Sequence, residues 1–354
     1  MTFVCYILSY HIPDYVRTRT LISALQKIDG VQLCQARNSS KGILRYLETL
    51  WKLIIIRISK RTDFYILGFR GYELFWPVRI ITFGKPLIYD HMMSPYDSLL
   101  NERKSIKKGS FIEKLVYLYE KSIIQNSDIV LTDTENHKKY FQELFNVGSQ
   151  KILDIPVGAD EELFHIHYAQ SLDKQVAFEV LFYGTFLPLH GIDVILDAAS
   201  WLRDHPIHFT LIGGDKSNPY YQMIKQTALD NVTHIDWVEF EHLPMLISHT
   251  NIGLGGPFGN TGQAHRVVTG KTLQFLAMAK PVIVGEIDTN YGFKDKVNCI
   301  MVPQGDGRAL ADAINWAFHH KTEIEQIGWQ GYKLYQDRYS IKHISEKIKI
   351  IFYS

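Results

Sequence analysis

Residues 265–286, HRVVTGKTLQFLAMAKPVIVGE, set Arg266 in a loop and Lys271 and Gln274 one turn apart on a helix. Thr269 is a natural N-cap and Pro281 a stop, so the spacing predicts a helix over 270–280 ahead of a buried strand. By helical periodicity Leu273, Leu276 and Ala277 share the core face, while Lys271, Gln274 and Met278 share another. A cation, an amide and a helix N-terminus then meet beside the loop 254–271, which holds five glycines. Long glycine-rich loops in compact domains are usually functional or mobile. This set suits a sugar diphosphate, with Arg266 and Lys271 neutralising phosphates and Gln274 bonding ribose hydroxyls. A solvent-facing Lys and Gln on a packing helix explains the same residues equally well, and chemistry alone leaves both readings open.

Two further loops follow apolar runs. YGTFLPLHG holds Gly184, Thr185 and His190, and IGGDKSNPYY holds Gly213 and Gly214. The glycines let a backbone approach a ligand, and a helix start offers free N–H groups to an anion. Neither loop matches G-x-G-x-x-G or the P-loop, so a plain dinucleotide or ATP site is not supported. Asp133 and Glu135 in TDTE have the spacing of a cation-binding pair, but Thr132 with Glu135 also reads as a capping box. No metal site is expected.

The elements that must position these loops alternate along the chain. In the first half, strands are expected near FVCYILS, FYILGF, PLIYD, DIVLTD and QKILDIP. In the second they are expected at EVLFYGT, FTLIGG, VTHIDWV, IGLGG, PVIVGE and CIMVP. Strands alternating with helical patterns are βαβ units, so the fold class is α/β with two doubly wound domains. The polar stretch HYAQSLDKQ (167–175) reads as a linker, giving domains 1–170 and 171–335 and a helical tail 336–354. Ligands of such folds bind beyond the carboxyl ends of the strands.

At 354 residues the chain is long for one core and comfortable for two. Lys plus Arg (38) nearly balances Asp plus Glu (37), so no global field recruits nucleic acid. Cys5, Cys34 and Cys299 fit neither a disulfide framework nor a zinc motif, which suits a reducing cytosol. No apolar run approaches the roughly 20 residues that span a bilayer. The segment KGILRYLETLWKLIIIRISKR (41–61) nevertheless alternates cations with Leu, Trp51 and an Ile run. It reads as a core helix with solvated cations, or as a basic amphipathic helix that lies on anionic headgroups.

Taken in order, PLIYDHMMSPYDSLL, NSDIVLTDTENHKKYFQELF, ILDIPVGADEELF, VLFYGTFLPLHGIDVILDAA, VTHIDWVEFEHLPMLISHTNIGLG and GKTLQFLAMAKPVIVGE resemble the retaining glycosyltransferases of family 4. The resemblance covers nearly the whole chain. It implies two facing Rossmann-like domains with a cleft between them and a C-terminal helix that crosses back. A nucleotide-diphosphate sugar is then the co-substrate on the second domain, without metal or other cofactor, and a glycan or lipid-linked acceptor meets the first. The implied donor-side residues are Gly184, Thr185, His190, Gly213, Gly214, Trp237, Val238, Gly262, Lys271, Thr272 and Gln274. Arg266 and Lys271 would stabilise the departing diphosphate, Asp90 or His91 would meet the transferred sugar, and Arg17 and Arg19 would lie on the acceptor side. The implied role is surface polysaccharide or glycolipid assembly in the cytoplasm, at the inner face of the membrane.

The chain departs from the family where it matters most. Arg266 and Gln274 stand at the two positions of the usual Glu-x7-Glu motif, and the cationic pair expected after the first strand of the second domain is replaced by Thr185 and His190. Arg266 and Lys271 would then supply the lost charge, with Gln274 keeping an acceptor for the ribose. A catalytically degenerate nucleotide-sugar binder and a nucleotide-sugar 2-epimerase are the alternatives.

Overall fold

A computed structural model describes residues 1–102, 104–166, 177–289 and 291–353. The chain forms two compact units, Met1–Gly158 with Ile341–Ser354, and Ala159–Ser340. The linker HYAQSLDKQ and the boundary expected near residue 170 lie outside the described residues.

The first unit is built on a six-stranded parallel sheet of order β2-β1-β3-β4-β5-β6. Its strands are β1 (Thr2–Leu8), β2 (Val31–Arg37), β3 (Phe64–Leu67), β4 (Leu87–Asp90), β5 (Ile129–Thr132) and β6 (Ile152–Asp154). Its first helices are α1 (Val16–Gln26), α2 (Leu44–Ser59), α3 (Phe75–Ile81), the single turn α4 (Pro95–Asp97), α5 (Phe111–Asn126) and α6 (Glu135–Phe145). A parallel sheet must be covered on both faces. Leu21 and Leu25 of α1 pack on Val4, Tyr6 and Ile88 on one side, whereas Leu53 of α2, Phe75 and Val78 of α3 and Ile123 of α5 pack on Ile7, Tyr65 and Leu87 on the other.

Two details differ from the sequence reading. Strand β2 is unanticipated, because Gln32 and Gln35 break its apolar run at an edge of the sheet. It sets Cys34 opposite Cys5 in register, although 28 residues separate them in the chain. The N-cap of α6 is Thr134, whose hydroxyl accepts from His137 N, and not Thr132, which is the last residue of β5. Asp133 meets His137 Nδ1 at 2.6 Å instead of belonging to a cation site.

The second unit has a six-stranded parallel sheet of order β12-β11-β10-β7-β8-β9. All six strands fall where the sequence places them: β7 (Phe178–Tyr183), β8 (Ile207–Ile212), β9 (Val232–Ile235), β10 (Ile252–Leu254), β11 (Val282–Gly285) and β12 (Ile300–Val302). Helices α7 (Ile192–Trp201), α8 (Pro219–Thr227), α9 (Leu243–His249), α10 (Gly270–Ala277), α11 (Gly307–His319) and α12 (Lys321–Arg338) complete it. Phe182, Phe209, Leu254, Ile283 and Leu310 lie in its core. The order is that of the Rossmann fold, with the strand order reversing between β7 and β10. The tail helix α13 (Ile341–Tyr353) returns to the first unit, where Ile344 and Ile348 join the core beside α1.

Candidate functional site

Ligands of open parallel sheets bind beyond the strand ends at the point where strand order reverses. In the second unit that point is flanked by the loop after β7 (184–191) and the loop after β10 (255–269). The loops are pressed together. A Cβ on Gly213 would stand 1.8 Å from the Gly184 carbonyl oxygen, and one on Gly191 would stand 2.5 Å from Gly259 N. Both glycines also have positive φ, so glycine alone lets the loops after β7, β8 and β10 meet.

Lys271 enters this junction from the first turn of α10. Thr269 caps that helix, its hydroxyl accepting from Thr272 N and lying 2.9 Å from Thr272 Oγ1. Lys271 is buried, its Nζ lies 4.9 Å from the Phe182 ring centroid, and Gly184 packs between it and His190. Among the described residues it has no acidic partner. Burial therefore lowers the ammonium from 10.5 to about 7. Burial, and then the charge of Lys271, hold His190 well below its ordinary value. His190 Nδ1 accepts from Leu187 N at 3.2 Å, which leaves the proton of the neutral ring on Nε2. One unpaired cation and one neutral imidazole thus flank a glycine at the end of β7. Such a place stabilises an anion.

Gln274, one turn on, is also buried, and its Oε1 accepts from the Tyr183 hydroxyl at 2.7 Å. The helix does not divide into a packed and a polar face as its periodicity suggests. Lys271 to Met278 are all buried, because α10 is held between its own sheet and α12. The Thr272 hydroxyl bonds to Thr269 in the cap and lies against Gly255. Arg266 ends the short turn Ala264–Arg266, half-buried, with its guanidinium against Gly262. Thr185 and Gly262 are exposed, Gly214 packs on the Phe186 ring, and Trp237 stands in solvent after β9 beside half-buried Val238. Sequence reasoning missed Tyr183, whose hydroxyl ends the mostly apolar strand β7. It also missed His234, whose Nε2 donates to the Gly213 carbonyl at 2.7 Å.

The first unit gathers Arg17, Asp90 and His91 at the carboxyl edge of its sheet, in roles unlike those expected. Arg17 is fully buried. Its Nη2 pairs with Asp90 at 2.8 Å, Nε meets both carboxylate oxygens, and Nη1 donates to the carbonyls of Ile155 and Pro156. The expectation of an acceptor-side Arg17 is corrected: its guanidinium ties α1, β4 and the segment after β6 together. The same pairing spends Asp90, which leaves His91 as the sugar-facing candidate. His91 is buried too, with Nε2 2.9 Å from Glu120 Oε1 and its ring 4.6 Å from that of Phe141. Arg19 is half-buried and donates to the Asp14 carbonyl at 3.1 Å. No group of three or more His, Cys, Asp or Glu side chains is placed to hold a metal ion among the described residues.

Residues 177–320 match the family model of the glycosyl transferases group 1, which covers the sheet and loops that carry Lys271. The O-antigen chain mannosyltransferase C of Escherichia coli is 21% identical over 258 residues, covering 70% of this chain. The matched part is 66% of that relative, so the chain spans just under two thirds of its length. Among solved structures, the sucrose-phosphate synthase of Thermosynechococcus elongatus superposes with a TM-score of 0.73 at 16% identity, over 100% of this chain and 98% of that one. HepE of Anabaena, in complex with UDP and glucose, gives 0.72 at 14% identity over 100% of both chains. The fold is the B-type glycosyltransferase fold, and the match to the group 1 glycosyl transferase model falls within the second unit.

Proposed function

We propose that the chain is a retaining, metal-independent glycosyltransferase of family 4. It takes a sugar from a nucleotide-diphosphate donor held by the second unit and passes it to a glycan or lipid-linked acceptor in surface polysaccharide or glycolipid assembly. The observation that carries this reading is Lys271, a buried ammonium without an acidic partner among the described residues, beside Gly184 and His190 at the reversal point of the sheet. An unpaired buried charge costs several kcal/mol, and a diphosphate offsets that cost. Electrostatic stabilisation of the leaving diphosphate is the main task of a site that needs no metal. Arg266, on the loop after β10, is the second cation of the proposal. HepE, which shares the fold, is in complex with UDP-glucose, and the mannosyltransferase relative is named for an O-antigen chain; both support a nucleotide-sugar donor and a glycan acceptor.

The proposal places the protein in the cytoplasm, on the inner face of the membrane. No helix among the described residues is long and apolar enough to cross a bilayer. Helix α2 is exposed at Leu44, Leu47, Trp51, Ile54 and Ile58, and the segment 41–61 supports peripheral contact with anionic lipid.

A thermal-shift screen against a panel of nucleotide-diphosphate sugars tests the donor site, since a ligand that binds only the folded state raises its stability by mass action. One nucleotide class should raise the midpoint, and incubation with that donor and an acceptor extract should release the nucleoside diphosphate. Binding without release favours the degenerate binder, and an epimer formed without acceptor favours the epimerase. If Arg266→Ala and Lys271→Ala both keep wild-type affinity and turnover, the assignment of the site fails.

A further inference from the structure

The three helices that cover one face of the first sheet are apolar on their outer sides as well. Of the 25 large apolar side chains exposed among the described residues, 15 lie between Ile43 and Tyr119, on or beside α2, α3 and α5. On α3 these are Trp76 and Ile80, and on α5 they include Phe111, Leu115 and Leu118. The helices are neighbours: Arg57 donates to the Phe83 carbonyl at 3.2 Å, and the Tyr119 hydroxyl to the Tyr72 carbonyl at 2.7 Å. A concentration this strong is an interaction surface and not the ordinary scatter of exposed apolar residues. Exposed Lys41, Lys60 and Arg61 flank α2, and Lys104, Lys107 and Lys108 precede α5, so the surface is edged with cations.

A cavity of about 310 Å³ opens among these helices, lined by Tyr72, Leu99, Leu115, Val116, Tyr119 and Glu120 among others. That volume is within the range of small-molecule sites. Most polar atoms of the lining are engaged elsewhere, and those of Glu120 are buried beneath the cavity wall. Glu120 Oε2 accepts from Tyr96 N at 2.7 Å and Oε1 faces His91. The Tyr72 hydroxyl accepts from Arg70 at 2.9 Å, and the Tyr119 hydroxyl is given to a carbonyl. The lining therefore offers a ligand chiefly contact area and dispersion, since almost all of its surface is apolar. Leu115 and Tyr119 belong both to the cavity and to the exposed layer, so it is entered from the apolar surface.

We propose that this cavity is a binding site for one aliphatic or isoprenoid chain of a membrane amphiphile, admitted while the α2–α3–α5 layer rests on an anionic bilayer. The proposal rests on the membrane contact put forward above and extends it from a surface to a site. A chain in the cavity lies against Glu120, whose other neighbour is His91 at the end of β4. It would hold a lipid-anchored molecule by its tail next to the residue proposed to face the sugar.

The test uses the full chain and vesicles of phosphatidylglycerol and phosphatidylcholine that carry a phospholipid with a diazirine at the chain end. The protein should sediment with the vesicles. After irradiation, label should fall on the peptides that contain Leu99 and Val116. Val116→Trp should lower that label about tenfold while sedimentation stays within about twofold, a loss that corresponds to one full decade of occupancy. Leu99→Trp serves as a second filling variant should the first unfold. Sedimentation with label confined to α2 and α3, or label unchanged in both filled variants, overturns the chain site and leaves surface docking standing. Absence of sedimentation at low salt overturns the membrane contact itself.

Discussion

The Tyr183 hydroxyl donates to Gln274 Oε1 at 2.7 Å, with both side chains buried. The pairing takes up the acceptor that Gln274 would otherwise offer a ribose and leaves its amide hydrogens for a ligand oxygen. It also accounts for an amide where relatives are expected to have a carboxylate. Lys271 lies one turn away, and a carboxylate at 274 would compete with the donor's phosphates for a single buried cation. Gln274→Glu should therefore weaken nucleoside diphosphate binding by about tenfold or more, near 1.4 kcal/mol. Tyr183→Phe should weaken it less, about threefold, by loosening the amide. Calorimetry with the nucleotide found by thermal shift decides the matter, and a Gln274→Glu protein that binds as tightly as wild type would show that the site needs an acceptor.

Arg17 and Asp90 form a buried pair that neither residue can leave alone. Asp90→Asn removes one charge and strands the guanidinium, which costs about 3–5 kcal/mol for a buried pair. The unfolding midpoint should fall by roughly 10 °C at the usual entropy of a domain this size. Arg17→Met with Asp90→Leu should recover much of the loss, because it removes both charges and leaves apolar volume. An Asp90→Asn protein that melts as wild type but loses turnover would make Asp90 a reacting group.

How much of this was legible depended on range. The second sheet was readable because all of its strands but β9 are short apolar runs that end at a glycine or proline, and the α10 cap at Thr269 is a local signal. The sequence also singled out Lys271, Gln274 and His190, the residues of the proposed donor site. What they touch was not: Tyr183 and Gln274 are 91 residues apart, and Arg17 and Asp90 are 73. Burial of the whole of α10 depends on its packing against α12, which periodicity within one helix does not report. The expected cap at Thr132 failed because that residue still belongs to β5, and Thr134 caps the helix instead.

Cys34 and Cys5 became neighbours through strand register alone. The Cys5 thiol lowers the pKa of half-buried Cys34, while burial pushes buried Cys299 up to about 12. Thiolate is the reactive form, so Cys34 should alkylate well ahead of Cys299 at neutral pH. Cys5→Ala should slow it by returning its thiol toward the ordinary range. Peptide mass spectrometry over a time course of iodoacetamide measures this, and equal rates for Cys34 in the two proteins would remove Cys5 as the cause.

Lys271 gives the proposed donor site a pH signature. Its ammonium, lowered from 10.5 to about 7 by burial, is partly deprotonated above neutrality until an anion arrives and restores the charge. Nucleoside diphosphate affinity should hold level below about pH 7 and fall up to tenfold per pH unit above it, with nearly one proton taken up on binding at about pH 8. Calorimetry in two buffers of different ionisation enthalpy reads that proton. Without ligand the linkage acts on stability. The unfolded chain keeps the lysine proton up to 10.5 and the folded chain releases it near 7, so stability rises with pH across that window and the full penalty applies below it. Lys271→Met lifts the penalty, which should raise the unfolding midpoint at about pH 6 by several degrees, on the order of a few kcal/mol. The same substitution should abolish diphosphate binding. A variant with the wild-type midpoint at that pH, or ligand binding at about pH 8 that moves no proton, would place Lys271 in solvent and take it out of the donor site.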